Sequence, residues 1–120
     1  MKKLIPLLSA ILFANFLIAA DGPGKEQVAE SNFFAAQAKK QFSLSDEAAE
    51  KVLQLKLDSF VHYRERVYNL RKAGRDSEAD AAAKEVAQDL MKQFCEIAGC
   101  KPKDYWTFAR ESKEAFQQQN

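Results

Sequence analysis

The sequence has few of the residues that break helices or build catalytic sites. Of its 120 residues, four are glycine, three proline, two cysteine and one histidine. Histidine chemistry would therefore depend on His62 alone. We find no nucleophile beside a base, no glycine-rich phosphate loop and no C-x-x-C-H haem-attachment motif. Internal repeats and low-complexity tracts are also lacking. These absences favour a protein that is not an enzyme and that carries no cofactor or metal.

The sequence offers weak matches to two cofactor sites, a calcium loop and a haem site. Acidic residues at positions 76, 78 and 80 of "RDSEAD" lack the glycine and the distal glutamate of a calcium loop. A helical bundle could hold haem between His62 and Met91, but methionine in such a bundle ordinarily fills the core. A cofactor-binding bundle is therefore the least favoured of the functions that we consider.

The first twenty residues have the layout of a secretory signal peptide. Two lysines precede the apolar stretch Leu4–Ala20, and the polar "DGPGKEQ" follows. An uncleaved membrane anchor is the alternative, but this stretch is at the lower limit of the roughly 17–25 residues that span a bilayer. Pro6 and Asn15 also interrupt it. We expect cleavage after Ala20 or Ala19, and a bacterial periplasmic or secreted protein.

The chain that would remain, residues 21–120, has the length of one domain. Its formal charge changes from +1 to −1, because Lys2 and Lys3 are removed with residues 1–20. This near-neutral charge argues against nucleic acid as the main partner. The sequence also predicts contact with a membrane only through the signal peptide.

The remaining glycines and prolines divide this domain into helices. They occur near the N-terminus, at Gly74 and around Gly99, and the stretches between them are rich in good helix formers. Ser45, followed by two acidic residues, predicts a further helix start. The sequence therefore predicts an all-α fold, a small bundle of about four helices that follows the signal peptide, with helices at about 25–42, 46–73, 77–98 and 103–117. Asp76 or Ser77 is expected to cap the third.

Helical spacing predicts which side chains face the core. The third helix has an apolar stripe made of Ala79, Ala83, Val86, Leu90, Phe94 and Ile97. The fourth offers Tyr105, Phe108, Ala109, Ser112 and Phe116. The second carries two apolar rows, one with Ala49, Leu53, Phe60, Val67 and Leu70 and the other with Leu57, Val61 and Tyr68. It should therefore be central, and its length predicts that it overhangs its neighbours.

The first helix has a thinner apolar stripe, made of Val28, Ala35, Ala38 and Phe42. The neighbouring Phe33 and Phe34 cannot both face that stripe. The sequence therefore predicts that the first helix is the most weakly docked of the four.

Both cysteines lie where the third helix ends, in "FCEIAGC". If Gly99 adopts the left-handed conformation just past the helix, Cys95 and Cys100 occupy the two positions that a Schellman ending brings together. This spacing predicts a local disulfide in an oxidising compartment. Redox chemistry and metal binding remain as alternatives, although redox motifs favour C-x-x-C and zinc needs about four ligands.

The segment "HYRERVYNLRKAGR" at the end of the second helix combines cationic and aromatic side chains. One interpretation is a solvated helix end whose cations complement the helix dipole. The other is a contact surface for another protein or a second copy of the chain, for an acidic partner or for an anionic headgroup, since arginine and tyrosine are enriched in such contacts. The candidate binding residues are His62, Tyr63, Arg64, Arg66, Tyr68, Arg71, Lys72 and Arg75.

The segment "FSLSDEAA" resembles the L-T-x-x-Q motif of the Spy and CpxP class of periplasmic helical chaperones. Leu44 and Ser45 match its first two positions, whereas Ala48 replaces the glutamine and a second copy is missing. The resemblance implies a stress-related holdase as an alternative function. Our principal hypothesis is a small exported helical binding or interaction protein.

Overall fold

The computed structural model describes residues 22–119, and this part of the chain forms four helices without a strand. Helix α1 is Lys25–Gln41, α3 is Asp76–Ala98 and α4 is Pro102–Gln119. Helix α2 runs without a break through Asp46–Tyr63, a π-helical turn at Arg64–Tyr68 and Asn69–Lys72. The predicted all-α bundle is confirmed. The predicted signal peptide lies outside the described residues.

The structure contains the local signals from which the helix boundaries are predicted. The backbone N–H of Ala48 donates to the Ser45 hydroxyl at 3.1 Å, as expected of an N-cap. Gly74 and Gly99 end α2 and α3 with φ of 76° and 67°. These left-handed conformations strain a residue that has a Cβ atom, so glycine is suited to both positions.

The predicted cap of the third helix was wrong. The N-cap is Arg75, without a side-chain capping bond, and the helix begins at Asp76. The reason lies in the preceding helix end, where the Arg75 N–H donates to the carbonyl of Leu70 at 2.9 Å. Because this bond completes a Schellman ending of α2 around Gly74, Arg75 is the only residue left between Gly74 and the first residue of α3.

The four helices pack in cyclic order, each antiparallel to its neighbours. Helix α1 packs against α2 and α4, and α3 packs against the same two helices from the other side. Aromatic rings fill the centre, where the Phe94 ring lies 5.0–5.7 Å from four others. Those four are Phe34, Phe42, Tyr105 and Phe108.

The prediction that the first helix is weakly docked was wrong. Phe34, Ala35 and Ala38 are buried, and α1 has extensive contacts along α2. Because α1 lies between two helices, adjacent residues on it can face different neighbours. Phe34 enters the central aromatic cluster, while the Phe33 ring packs 5.6 Å from Phe116 on α4.

The core positions of α2 differ in part from those predicted. Val67 is buried as expected, and so is Leu57 of the second apolar row, whereas Phe60 and Leu53 are only partly buried. Val52, which neither predicted row contains, is fully buried. The difference arises because α1 and α3 pack against α2 while α4 packs chiefly on those two helices, so part of the wide apolar face stays at the surface.

The predicted overhang of the second helix is present. The 27 residues of α2 span about 40 Å and the 17 of α1 about 26 Å. Beyond the start of α1, the end of α2 packs on the first half of α3 around a second small core of Val67, Ala79 and Val86. We call this two-helix extension, residues 63–86, the arm.

Candidate binding surface on the arm

The arm carries two tyrosines whose rings are about half exposed. Tyr63 is 43 % and Tyr68 52 % exposed. Among the large hydrophobic side chains of residues 22–119, only Trp106 is comparably exposed, at 42 %. It lies near the start of α4, away from the arm. Exposed aromatic surface is thus concentrated on the arm.

The π-helical turn determines how the two tyrosines are arranged. In a regular α-helix, residues five apart point about 140° away from each other. A π turn instead closes hydrogen bonds between residues five apart and winds more residues into each turn, which narrows the angle between two such residues. Tyr63 and Tyr68 have this spacing across Arg64–Tyr68. The turn therefore brings both tyrosines toward the same side of α2.

Each tyrosine has a cation beside it. The Lys72 ammonium lies 5.4 Å from the centre of the Tyr68 ring, in cation–π range. The carboxylate of Asp80 and the hydroxyl of Tyr63, both hydrogen-bonded to Arg71, raise the pKa of that guanidinium. The structure thus pairs four of the predicted binding residues on the arm, and together we call them the tyrosine surface: Tyr63, Tyr68, Arg71 and Lys72.

The four arginines of the predicted cluster all have partners within the chain. Arg66 pairs with Glu85 and Arg75 with Glu78, while Arg71 and Asp80 are 3.0 Å apart. Arg64, which is partly buried, donates a hydrogen bond to the carbonyl of Gly22. The arm is therefore close to neutral, and Arg66 and Arg71 link α2 to α3.

His62 is exposed immediately before the arm. No group of three His, Cys, Asp or Glu side chains within residues 22–119 is arranged to hold a metal ion.

Sequence reasoning missed the acidic partners of the arginines, although a signal was available. Arg71 and Asp80 lie equally far from the boundary between Arg75 and Asp76, and so do Arg66 and Glu85. Residues equally distant from the turn of an antiparallel helix pair face each other. The π turn has no comparable signal, because its residues are ordinary helix formers.

The two cysteines meet at the opposite end of α3. Their sulfur atoms are 3.6 Å apart and not bonded in this structure. Burial, followed by the hydrogen bond to Cys95, raises the pKa of the Cys100 thiol to about 12. A thiol that stays protonated at neutral pH is a poor nucleophile, which disfavours rapid catalytic turnover at this pair but still permits slow oxidation to equilibrium.

A partly buried lysine on α2 is a further feature that the sequence did not indicate. The Lys56 ammonium lies 4.7 Å from the centre of the Phe34 ring and 5.1 Å from that of Phe60. Burial lowers the pKa of Lys56 and Lys113 lowers it further, while Glu30 acts in the opposite direction. The amine is therefore held in an environment that penalises its charge.

A shallow pocket of about 360 Å³ lies between the start of α2 and the end of α3. The side chains that line it contain no histidine or cysteine, and its serine is the N-cap of α2. Its lining is Ser45, Glu47, Ala48, Lys51, Glu96 and Ile97.

No known protein family, curated protein or solved structure matches this chain. Within residues 22–119, each helix is too short or too polar to cross a membrane.

Proposed function

We propose that this protein is a small exported binding protein that recognises a protein partner through the tyrosine surface of its arm. The observation that carries the proposal is that Tyr63 and Tyr68, at the two ends of the π turn, are both about half exposed on a helix that extends beyond its neighbours. Tyrosine and arginine are enriched where proteins contact each other. Export itself is inferred from the layout of the first twenty residues.

The charge balance of the arm favours a partner recognised through aromatic and hydrogen-bonding contacts rather than through charge alone. Arg66, Arg71 and Arg75 are each paired with an acidic group of α3. An acidic partner or an anionic headgroup would have to compete with those carboxylates. Binding should therefore depend strongly on the tyrosines and only weakly on salt.

The holdase alternative has less support in the described part of the chain. A holdase needs a broad apolar surface for unfolded clients. The exposed large hydrophobic residues of 22–119 are two tyrosines and one tryptophan, and the tryptophan lies away from the arm. We expect no suppression of aggregation of a heat-denatured client, and efficient suppression by the wild-type protein would favour the holdase.

Site-specific crosslinking tests the binding proposal. A photoreactive phenylalanine analogue replaces Tyr63, Tyr68 or, as a matched control of equal exposure, Trp106, in the full chain expressed with its own N-terminus. Irradiation of intact cells should give the same discrete adduct from both arm positions and none from position 106. Adducts from position 106 alone, or from no position, would contradict the proposal.

A capture experiment gives the energetic counterpart. Tyr63→Ser combined with Tyr68→Ser should weaken capture of the crosslinked partner at least about tenfold, since the loss of one tyrosine hot spot at an interface costs about 2 kcal/mol or more. Trp106→Ser should leave capture unchanged. Sedimentation of the purified protein distinguishes a second copy of the chain from a different partner.

A further inference from the structure

We propose that Cys95 and Cys100 are an oxidative modification site, where an intramolecular disulfide closes the corner between α3 and α4. Their sulfur atoms are in contact at 3.6 Å. No contact of the arm is involved, so this inference does not depend on the proposed binding function.

The backbone of the corner already has the shape that such a bond needs. Gly99 is left-handed, and the N–H groups of Gly99 and Cys100 both donate to the carbonyl of Cys95, at 2.8 and 3.3 Å. The second of these is the bond that defines a Schellman ending. Closing the sulfur atoms to about 2.05 Å therefore requires side-chain rotation and no change in the helix ending.

The same corner is braced on its core side by aromatic rings. The rings of Phe94 and Tyr105 lie 5.0 Å apart. Phe94 directly precedes Cys95 in the chain, and Tyr105 follows shortly after Cys100. Both cysteines are partly buried and pack against the main core. The fold is thus compatible with the thiol form and the disulfide form alike.

The reaction requires an oxidant, which we take to be a protein or small-molecule disulfide. One cysteine thiolate attacks a sulfur of that disulfide and releases its first thiolate. The second cysteine then attacks the mixed disulfide, forms the Cys95–Cys100 bond and releases the second thiolate. The pair loses two protons and two electrons, and the oxidant becomes two thiols.

The experiment equilibrates the reduced, purified full chain with a mixture of oxidised and reduced glutathione. We expect a monomer that has lost two hydrogen atoms in mass, that a thiol reagent does not label under denaturing conditions, and that yields one proteolytic fragment linking Cys95 to Cys100. Two labelled thiols, stable glutathione adducts on both cysteines, or disulfide-linked dimers would overturn the proposal.

The thermal midpoint gives a second readout. The oxidised form should unfold roughly 5–10 °C above the reduced form, because a short closed loop limits the unfolded chain only moderately. The variant with Cys95→Ala and Cys100→Ala should show no change on oxidation. Its helix content should match the wild type, and an equal shift in this variant would contradict an effect of the bond.

Discussion

At the scale of single residues, Lys56 is a charged side chain at a partly buried position. Its ammonium is placed against the rings of Phe34 and Phe60, with Glu30 and Lys113 as the nearest influential charges. Cation–π contacts offset part of the cost of removing the ammonium from water. Burial lowers the pKa of Lys56 although Glu30 acts in the opposite direction, so the cost of desolvation exceeds the attraction of Glu30.

This balance leads to a prediction for Lys56→Met. Below its lowered folded-state pKa, the native protein carries the cost of a desolvated ammonium. As the pH rises from that value toward the ordinary 10.5, the native state loses the proton before the unfolded state does, and stability increases. Lys56→Met should therefore unfold at higher denaturant concentration than the wild type at pH 7, and the difference should shrink as the pH approaches 10.

A control variant accompanies this measurement. Lys51→Met changes an exposed lysine of the same helix and should leave the midpoint almost unchanged. Burial raises the pKa of Tyr105, so above about pH 10 this tyrosine ionises in the unfolded state first and lowers stability. The same loss is expected in the wild type and in both lysine variants, so it cancels when they are compared. A Lys56→Met variant that is less stable than wild type at all pH values would mean that the cation–π contacts dominate.

At the scale of elements, the π turn in α2 behaves as one extra residue inserted into an α-helix. Regular α-helical segments, Asp46–Tyr63 and Asn69–Lys72, flank it. Val67 within the turn is fully buried in the small core of the arm, while Tyr68 next to it is exposed. Deletion of one residue from such a turn restores regular helical bonding without changing the register of the flanks.

We therefore predict that deletion of Glu65 is tolerated unusually well. Glu65 is exposed within the turn, and its loss should leave the buried positions of both flanks in register. Deletion of Lys84, an exposed residue of regular α3, should rotate Ala79 by about 100° relative to Val86 and disrupt the arm. Urea unfolding should show a much larger loss of stability for the Lys84 deletion. Equal losses for the two deletions would contradict the insertion view.

At the scale of the whole molecule, the helices form a bundle with an extension on one side. The main core lies where all four helices meet, and the small core of the arm is formed by α2 and α3 alone. Elements with few buried apolar contacts open at lower cost than the global core. A partner that contacts the arm would thus engage the least constrained part of the described molecule.

The predicted export concerns the whole chain and is tested by mass. When the full sequence is expressed in a bacterial host, the protein recovered outside the cytoplasm should begin at about Asp21, because the apolar stretch Leu4–Ala20 ends in two small residues and is followed by polar ones. Intact-mass analysis measures this directly. Retention of Met1 in the exported protein would refute cleavage, and replacing Leu8 and Leu7 with Arg should abolish export.

The sequence by itself determined the helices of this protein, because their limits depend on local physics. Ser45 caps α2, and Gly74 and Gly99 end α2 and α3 through left-handed conformations. Helical spacing also identified the buried face of α3, since that stripe is narrow and packs on its neighbours as a whole. The candidate residues of the arm are also visible in the sequence, because tyrosines and arginines cluster in one segment.

Only the tertiary structure decided how those residues are used. Phe34 is central because α1 lies between two helices, which its thin apolar stripe could not reveal. The arginines are neutralised because α3 returns antiparallel to α2 and places its carboxylates opposite them. The two tyrosines share a side because a π turn closes between them. Each outcome depends on contacts or hydrogen bonds formed on packing, which residue propensities and spacing do not contain.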